Sequence, residues 1–154
     1  MGNYGVGRSS ADDVGHTVRA HIMALNIDST PNVADLEDQG RRITLKDADG
    51  EDWSDDEGKP VTALVAGTYS KRYAQARTAG LTRSLKARGK LTGDDLEATN
   101  LKLDAALVIA WDITSGGQMA KPEQVFQSHP FIREQIVEEA NAHASFSRTA
   151  STGR

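Results

Sequence analysis

The sequence of 154 residues contains no cysteine and few aromatic residues: two tryptophans, three tyrosines and three phenylalanines. Without cysteine there can be no disulfide framework, no thiolate nucleophile and no thiolate metal ligand, and a reducing compartment is favoured. No apolar run approaches the roughly 20 residues of a membrane span. The N-terminus also lacks the apolar segment of a signal peptide. These absences predict a protein of the cytoplasm.

Charged residues are segregated along the chain, although the formal net charge of −4 is too small to indicate a polyanion or a membrane as partner. Residues 35–57 contain ten acids and three basic residues. Residues 71–90 contain seven basic residues and no acid. Two such blocks can attract each other within the monomer or bind oppositely charged partners.

The apolar residues that could form a core begin at about residue 41. Residues 1–40 have little to bury, and the first 22 are rich in glycine and have no sustained period. We therefore expect a flexible N-terminal extension over 1–40, one domain over 41–146 and a flexible tail over 147–154.

A β-hairpin region is predicted at 41–68. Residues 42–46 and 60–67 are rich in β-branched side chains, and Asp47-Ala-Asp49-Gly50 between them is a turn signal. Because a lone hairpin is marginal in water, we expect it to pack on helices or on a neighbouring subunit.

Residues 69–146 have helical periodicity. Ser70 is a predicted N-cap of a helix that ends near Arg88, and Thr92 begins a second helix whose apolar stripe continues to Trp111. Pro122 and Pro130 suit the first turns of two further helices. The predicted fold class is α+β and mostly α-helical, with an N-terminal β-hairpin followed by a bundle of about four helices.

Sites for catalysis or metal binding are not indicated. The segment that begins at Asp47 resembles the opening of a calcium loop, but the sixth position is Asp52 where glycine is needed and the twelfth is Gly58 where a glutamate is needed. The four histidines show no metal-ligand spacing, and no serine or threonine stands in a nucleophile motif. We therefore predict no enzymatic activity, no metal and no cofactor.

The large apolar residues of the C-terminal third are the remaining candidates for function. Short helices separated by Gly116-Gly117 and by proline can leave clefts that accept apolar partner segments. The alternative for each side chain is a place in the core. The predicted partner-binding positions are Trp111, Phe126, Phe131, Ile132 and Ile136.

Several short segments, in this order and spacing, carry a family resemblance. They are Ile43-Thr-Leu-Lys-Asp-Ala-Asp-Gly50, Lys59-Pro-Val-Thr62, Gly67-Thr-Tyr-Ser70-Lys-Arg-Tyr73, Ile109-Ala-Trp111-Asp112, Val125-Phe126 and Pro130-Phe131-Ile132-Arg133. Over about residues 41–146 the chain resembles the tail assembly chaperones of long-tailed bacteriophages. The glycine-rich extension before Met23 departs from that pattern.

The resemblance implies a small, mostly helical protein that coats the long tape measure protein before the tail tube polymerises around it. It also implies location in the host cytoplasm and absence from the finished virion. The tail tube protein is a second expected partner, and self-association along the target is also expected. The family has no catalytic residues to carry over.

Two other functions stay open. A small nucleic-acid-associated regulator could use the basic helix 71–90 to follow phosphates. The acidic net charge and the lack of interleaved aromatics in that helix make nucleic acid the less favoured partner. A structural component of the phage tail is the other alternative.

Overall fold

The computed structural model describes residues 24–152, and the side chains of residues 24–147. The chain divides into two compact units, Met1–Pro31 and Asn32–Arg154. In the first unit, the described residues form one turn of 3-10 helix at Ile27–Ser29, capped by the Asn26 side chain. The expectation of disorder at residues 1–22 lies outside the described residues.

The second unit is mixed α and β, and mostly helical. Its described part contains six α-helices and five short strands. In chain order they are α1 (Val33–Gln39), β1 (Arg41–Thr44), β2 (Thr62–Val65), α2 (Lys71–Ala87), α3 (Gly93–Ala105), β3 (Val108–Trp111), β4 (Thr114–Ser115), β5 (Gln118–Met119), α4 (Pro122–Ser128), α5 (Pro130–Ala140) and α6 (His143–Thr152). None of these helices is long and apolar enough to cross a membrane.

The main sheet has three antiparallel strands in the order β1-β2-β3. Strand β3 differs from the expectation that the helix beginning at Thr92 continues to Trp111. The helix ends at Ala105, and Val108 pairs with Val65 of β2. Val108 and Ile109 are β-branched and suit a half-buried sheet position better than a helix interior. The apolar stripe in the sequence continues from the helix into the strand that follows it, so the sequence predicted one helix for both.

The connection between β1 and β2 folds into two successive turns rather than one hairpin loop. Leu45 N donates to Val61 O at 2.9 Å, Val61 N to Trp53 O at 2.8 Å, and Trp53 N to Leu45 O at 2.9 Å. Three short antiparallel ribbons therefore meet at one junction. We call residues 46–60, which form the two outer ribbons and their turns, the acidic lobe.

Each turn of the acidic lobe is closed by an aspartate. The Asp47 carboxylate accepts from the backbone N–H groups of residues 49 and 51, and the Asp55 carboxylate accepts from those of residues 57 and 59. Gly50 and Gly58 occupy the positive-φ position of each turn, at 84° and 82°. The predicted Asp-Gly turn is the first of these two.

The sequence-predicted helix ends agree with the structure. The Ser70 hydroxyl accepts from Tyr73 N at the start of α2, and Arg88, the C-cap, follows its last residue. Thr92 and Asp95 form a reciprocal capping box at the start of α3. Pro122 and Pro130 are the first residues of α4 and α5. Gly116 and Gly117, both with positive φ, form the tip of the β4–β5 hairpin.

The core lies between the main sheet and the helices. Ala63, Val65 and Val108 of the sheet pack in one buried cluster with Ile132 and Ile136 of α5. Strand and helix residues therefore share one core.

Helix α1 lies within the region expected to be a flexible extension. Glu37 of this helix is 1% exposed, and Gly67 N donates to its backbone carbonyl at 3.1 Å. At the other end, α6 continues past residue 146 to Thr152, and Phe146 is buried. The sequence did not predict α1 because the helix has little apolar content. The buried carboxylate of Glu37, and not an apolar stripe, attaches it to the rest of the unit.

Candidate functional site

Four of the five predicted partner-binding side chains belong to the core of the described chain. Trp111, Phe126, Ile132 and Ile136 are exposed by 6%, 2%, 0% and 0%. Phe131 is half-buried. Since a buried side chain cannot reach a partner while the core is closed, the apolar surface that the sequence indicated is not displayed as a unit. The helical spacing of Phe126, Ile132 and Ile136 reflects packing toward the core, whereas Trp111 is the last residue of strand β3.

Trp111 and Phe126 explain why the sequence could not separate core from surface here. Their rings make an edge-to-face contact with centroids 5.9 Å apart, and Trp111 Nε1 donates to Ala120 O at 3.0 Å. The indole therefore has both an apolar neighbour and a hydrogen-bond acceptor inside the protein. Trp111 fixes the β4–β5 hairpin and α4 against the end of β3.

Phe131 belongs to a cluster of three rings at the surface. Its centroid lies 6.1 Å from that of Trp53 and 5.8 Å from that of His129. Beside it, Gln135 accepts from Lys46 N at 2.7 Å and donates to Lys46 O at 2.9 Å. These contacts attach the acidic lobe to α5. Phe131 is thus the predicted residue that combines partial exposure with a packing role.

A groove runs between α3, α4 and α5. Leu101 of α3, Phe126 and Gln127 of α4 and Pro130 of α5 line a cavity of about 480 Å³. A second cavity of about 490 Å³ shares Pro130 with the first and continues along α5 past Val137. Together they form an open trough with an apolar floor. We call this feature the α3–α5 groove.

The rim of the α3–α5 groove is acidic. Its one lining cation, Arg133, forms 2.7 Å contacts with both Glu97 and Asp104. The hydrogen bond that Arg133 donates to Glu97, followed by the one it donates to Asp104, raises the pKa of Arg133 against the effect of burial. The remaining charged lining residues are acids, such as Asp94 and Glu134. The groove therefore favours an apolar segment with basic flanks.

Comparison with known proteins adds no relative. No protein-family model matches the chain, and no curated protein or solved structure is found to be similar to it. The geometry described above and the resemblance of the short sequence segments are thus the basis for a functional assignment.

A polar cluster around the buried Glu37 joins parts of the chain that sequence reasoning left separate. Glu37 accepts from Tyr69 N at 2.9 Å and contacts His143 Nδ1 at 2.8 Å. The Tyr69 and His143 rings stack with centroids 3.8 Å apart. His143 Nε2 lies 3.5 Å from the Thr68 hydroxyl, which donates to Asn141.

This cluster has the order of carboxylate, imidazole and hydroxyl seen in nucleophilic sites. Its groups are, however, committed to one another: Thr68 N donates to Ala140 O, Tyr69 N donates to Glu37, and Tyr69 covers the imidazole ring. The contacts hold α1, the turn before α2 and α6 together. Glu37 and His143 are 106 residues apart, and no spacing rule could have paired them.

The acidic lobe contains the segment that resembles the opening of a calcium loop. The Asp47 and Asp55 carboxylates accept backbone hydrogen bonds from their own turns. Within residues 24–152, no group of three or more histidine, aspartate or glutamate side chains is placed to hold a metal ion.

Proposed function

We propose that the protein is a phage tail assembly chaperone that binds the tape measure protein through the α3–α5 groove. The observation that carries the proposal is the groove itself, an open apolar trough bounded by short helices and continued along α5. A long tape measure helix has apolar stripes that would aggregate before assembly. A trough of this kind can cover such a stripe reversibly.

The groove also defines the chemistry of the segment it accepts. An amphipathic helix with an apolar stripe would contact Ala98, Pro130 and Val137, and lysine or arginine beside that stripe would face Asp94 and Glu134. Rim charges of this kind change the encounter rate and specificity more than the affinity. As the resemblance implies, the proposed function is non-enzymatic, takes place in the host cytoplasm and leaves the protein absent from the mature virion.

Relative to the sequence-predicted surface, this proposal keeps Phe126 as a lining residue and adds positions on α3 and α5. Trp111, Ile132 and Ile136 support the groove from the core. In this proposal the chaperone domain expected at 41–146, with its hairpin region and its helical region, also includes α1 and α6. The tail tube protein is a second expected partner.

The test is co-purification of the protein with overlapping segments of the tape measure protein from the same phage. Gln127→Trp places a large ring in the groove from an exposed position of α4. Thr78→Trp, the matched control, makes the same type of change at an exposed position of α2 outside the groove. We expect the first variant to lose tape measure binding and the control to retain it, both with wild-type melting temperatures.

Normal binding by a folded Gln127→Trp variant would refute the groove as the binding site. Absence of the wild-type protein from every tape measure complex would refute the chaperone function. Its presence in purified virions would favour the structural tail component, and a salt-dependent mobility shift of DNA or RNA would favour the nucleic-acid regulator.

A further inference from the structure

The basic residues of α2 and the turn after it are largely unpaired. Lys71 contacts Asp35 at 2.7 Å, but five other exposed cations have no carboxylate within salt-bridge distance among the described side chains. They are Arg77, Arg83, Lys86, Arg88 and Lys90. A helix that displays this many free cations on one monomer is a strong candidate for an acidic partner.

Part of this basic surface forms a cleft between α2 and α3. Arg83, Lys90 and Lys102 line a cavity of about 290 Å³ together with Ala87, Leu91 and Ala98. The lining acid Asp95 accepts from Thr92 N at 2.9 Å, and the Thr92 hydrogen bonds lower its pKa. Its charge is therefore committed to the helix cap. We call this feature the cationic cleft.

The acidic lobe has the opposite property. Its residues 46–60 include seven acids and two lysines. Its described side chains form one salt bridge, between Lys46 and Asp52 at 2.9 Å. The two turn tips are held rigid by Asp47 and Asp55, as described above, so their remaining carboxylates are displayed at low entropic cost. Those carboxylates, all exposed and without a salt bridge, are Asp49, Glu51, Asp56 and Glu57.

The acidic lobe and the cationic cleft do not neutralise each other within one molecule. No salt bridge among the side chains of residues 24–147 connects the lobe with α2 or α3. Each surface is thus available to a second molecule. The lobe is a narrow double turn that presents carboxylates, and the cleft is a narrow trough that presents cations over an apolar floor.

We propose that copies of this chain associate head to tail, with the acidic lobe of one copy seated in the cationic cleft of the next. Such a contact joins two different surfaces, so each added copy leaves one lobe and one cleft free. Contacts of this type close into rings or extend as helical filaments. The proposal does not depend on the tape measure protein as partner, because the α3–α5 groove takes no part in the contact.

The association should depend strongly on salt. Sedimentation velocity and light scattering should give masses above the monomer value of 16.6 kDa at low salt. The mass should return to that of the monomer as the Debye length falls from about 30 Å at 0.01 M to about 3 Å at 1 M salt. A wild-type protein that stays monomeric at low salt and high concentration would overturn the proposal.

Charge reversal with rescue provides the specific test. A cleft variant, Arg83→Glu with Lys90→Glu, has an acidic lobe and an acidic cleft. A lobe variant, Asp49→Lys with Glu51→Lys, Asp56→Lys and Glu57→Lys, has a basic lobe and a basic cleft. Alone, each should associate at least about tenfold more weakly than wild type, a change of about 1.4 kcal/mol. Mixed together, they should regain association, because every lobe then finds a cleft of opposite sign.

Lys121→Glu, an exposed change outside both surfaces, is the control for charge reversal elsewhere on the protein and should associate as wild type does. Failure of the mixture to associate would overturn the proposal, as would loss of association in the control. The proposal would also fail if the wild-type protein stayed monomeric while its cleft bound an RNA or DNA oligonucleotide and the cleft variant did not. That result would assign the cleft to nucleic acid.

Discussion

Gly67→Ala is predicted to destabilise the protein more than a surface substitution of this size normally would. A Cβ atom at position 67 would lie 1.8 Å from Glu37 Oε1, 2.4 Å from Cδ and 2.7 Å from Cγ. The backbone at residue 67 cannot move away from Glu37, because two hydrogen bonds hold it. Gly67 N donates to Glu37 O and Ser70 N donates to Gly67 O, each at 3.1 Å. The Glu37 side chain must therefore leave its buried position.

The expected loss of stability follows from the hydrogen bonds that Glu37 would lose. Its carboxylate holds Tyr69 N at 2.9 Å and His143 Nδ1 at 2.8 Å. Each hydrogen bond to a buried carboxylate contributes about 1.5–3 kcal/mol, so losing both costs about 3–6 kcal/mol. Replacing glycine by alanine stabilises the folded protein by about 0.4–1 kcal/mol, because it lowers the conformational entropy of the unfolded chain. We expect the free energy of unfolding to fall by about 2–6 kcal/mol, the difference between these two effects.

Denaturant unfolding followed by circular dichroism would measure this change. Gly93→Ala is the matched control, because a Cβ there meets nothing within 4 Å and the residue begins α3. The control should be neutral or slightly stabilising. In a Glu37→Ala background the obstruction is gone, so adding Gly67→Ala should cost less than about 1 kcal/mol.

Two results would refute this reasoning. The first is a cost for Gly67→Ala no larger than that for Gly93→Ala. The second is an equal cost for Gly67→Ala with and without the Glu37 side chain. Either outcome would mean that the clash with Glu37 does not control the stability of this turn.

Two further predictions concern the ring residues and pH. Trp111→Ala should cost about 3–5 kcal/mol of unfolding free energy, and Phe131→Ala clearly less because its ring is half-exposed; equal melting temperatures for the two variants would contradict this. Hydrogen bonds from the Thr62 hydroxyl, at 2.7 Å, and then from its amide, at 3.0 Å, lower the pKa of Asp112. The stability from this contact is present above the usual pKa of about 3.9 and lost as pH falls through the lowered value. Asp112→Asn should therefore flatten the decline of stability below that pH, and an unchanged acid profile would argue against the contact.

Local chemistry made several helix ends predictable from the sequence. The Ser70 cap, the Thr92–Asp95 capping box and the proline starts at 122 and 130 depend on neighbouring residues alone. Strand β3 was different, because Val108–Trp111 continues an apolar helical stripe and becomes a strand through pairing with β2. That pairing joins residues far apart in sequence, so periodicity could not reveal it.

The sequence by itself determined the capped helices, the Asp-Gly turn and the two blocks of opposite charge, because each depends on residue type and short spacing. Only the tertiary structure decided which apolar side chains are covered. It buried Trp111, Phe126, Ile132 and Ile136 in the core and left a groove beside them. It also brought Glu37 to His143 and kept the acidic lobe without a salt bridge to the cationic cleft. The physical reason is that burial and ion pairing depend on which surfaces meet in space. An apolar or charged sequence pattern indicates the character of a surface, but it does not indicate which other surface packs against it.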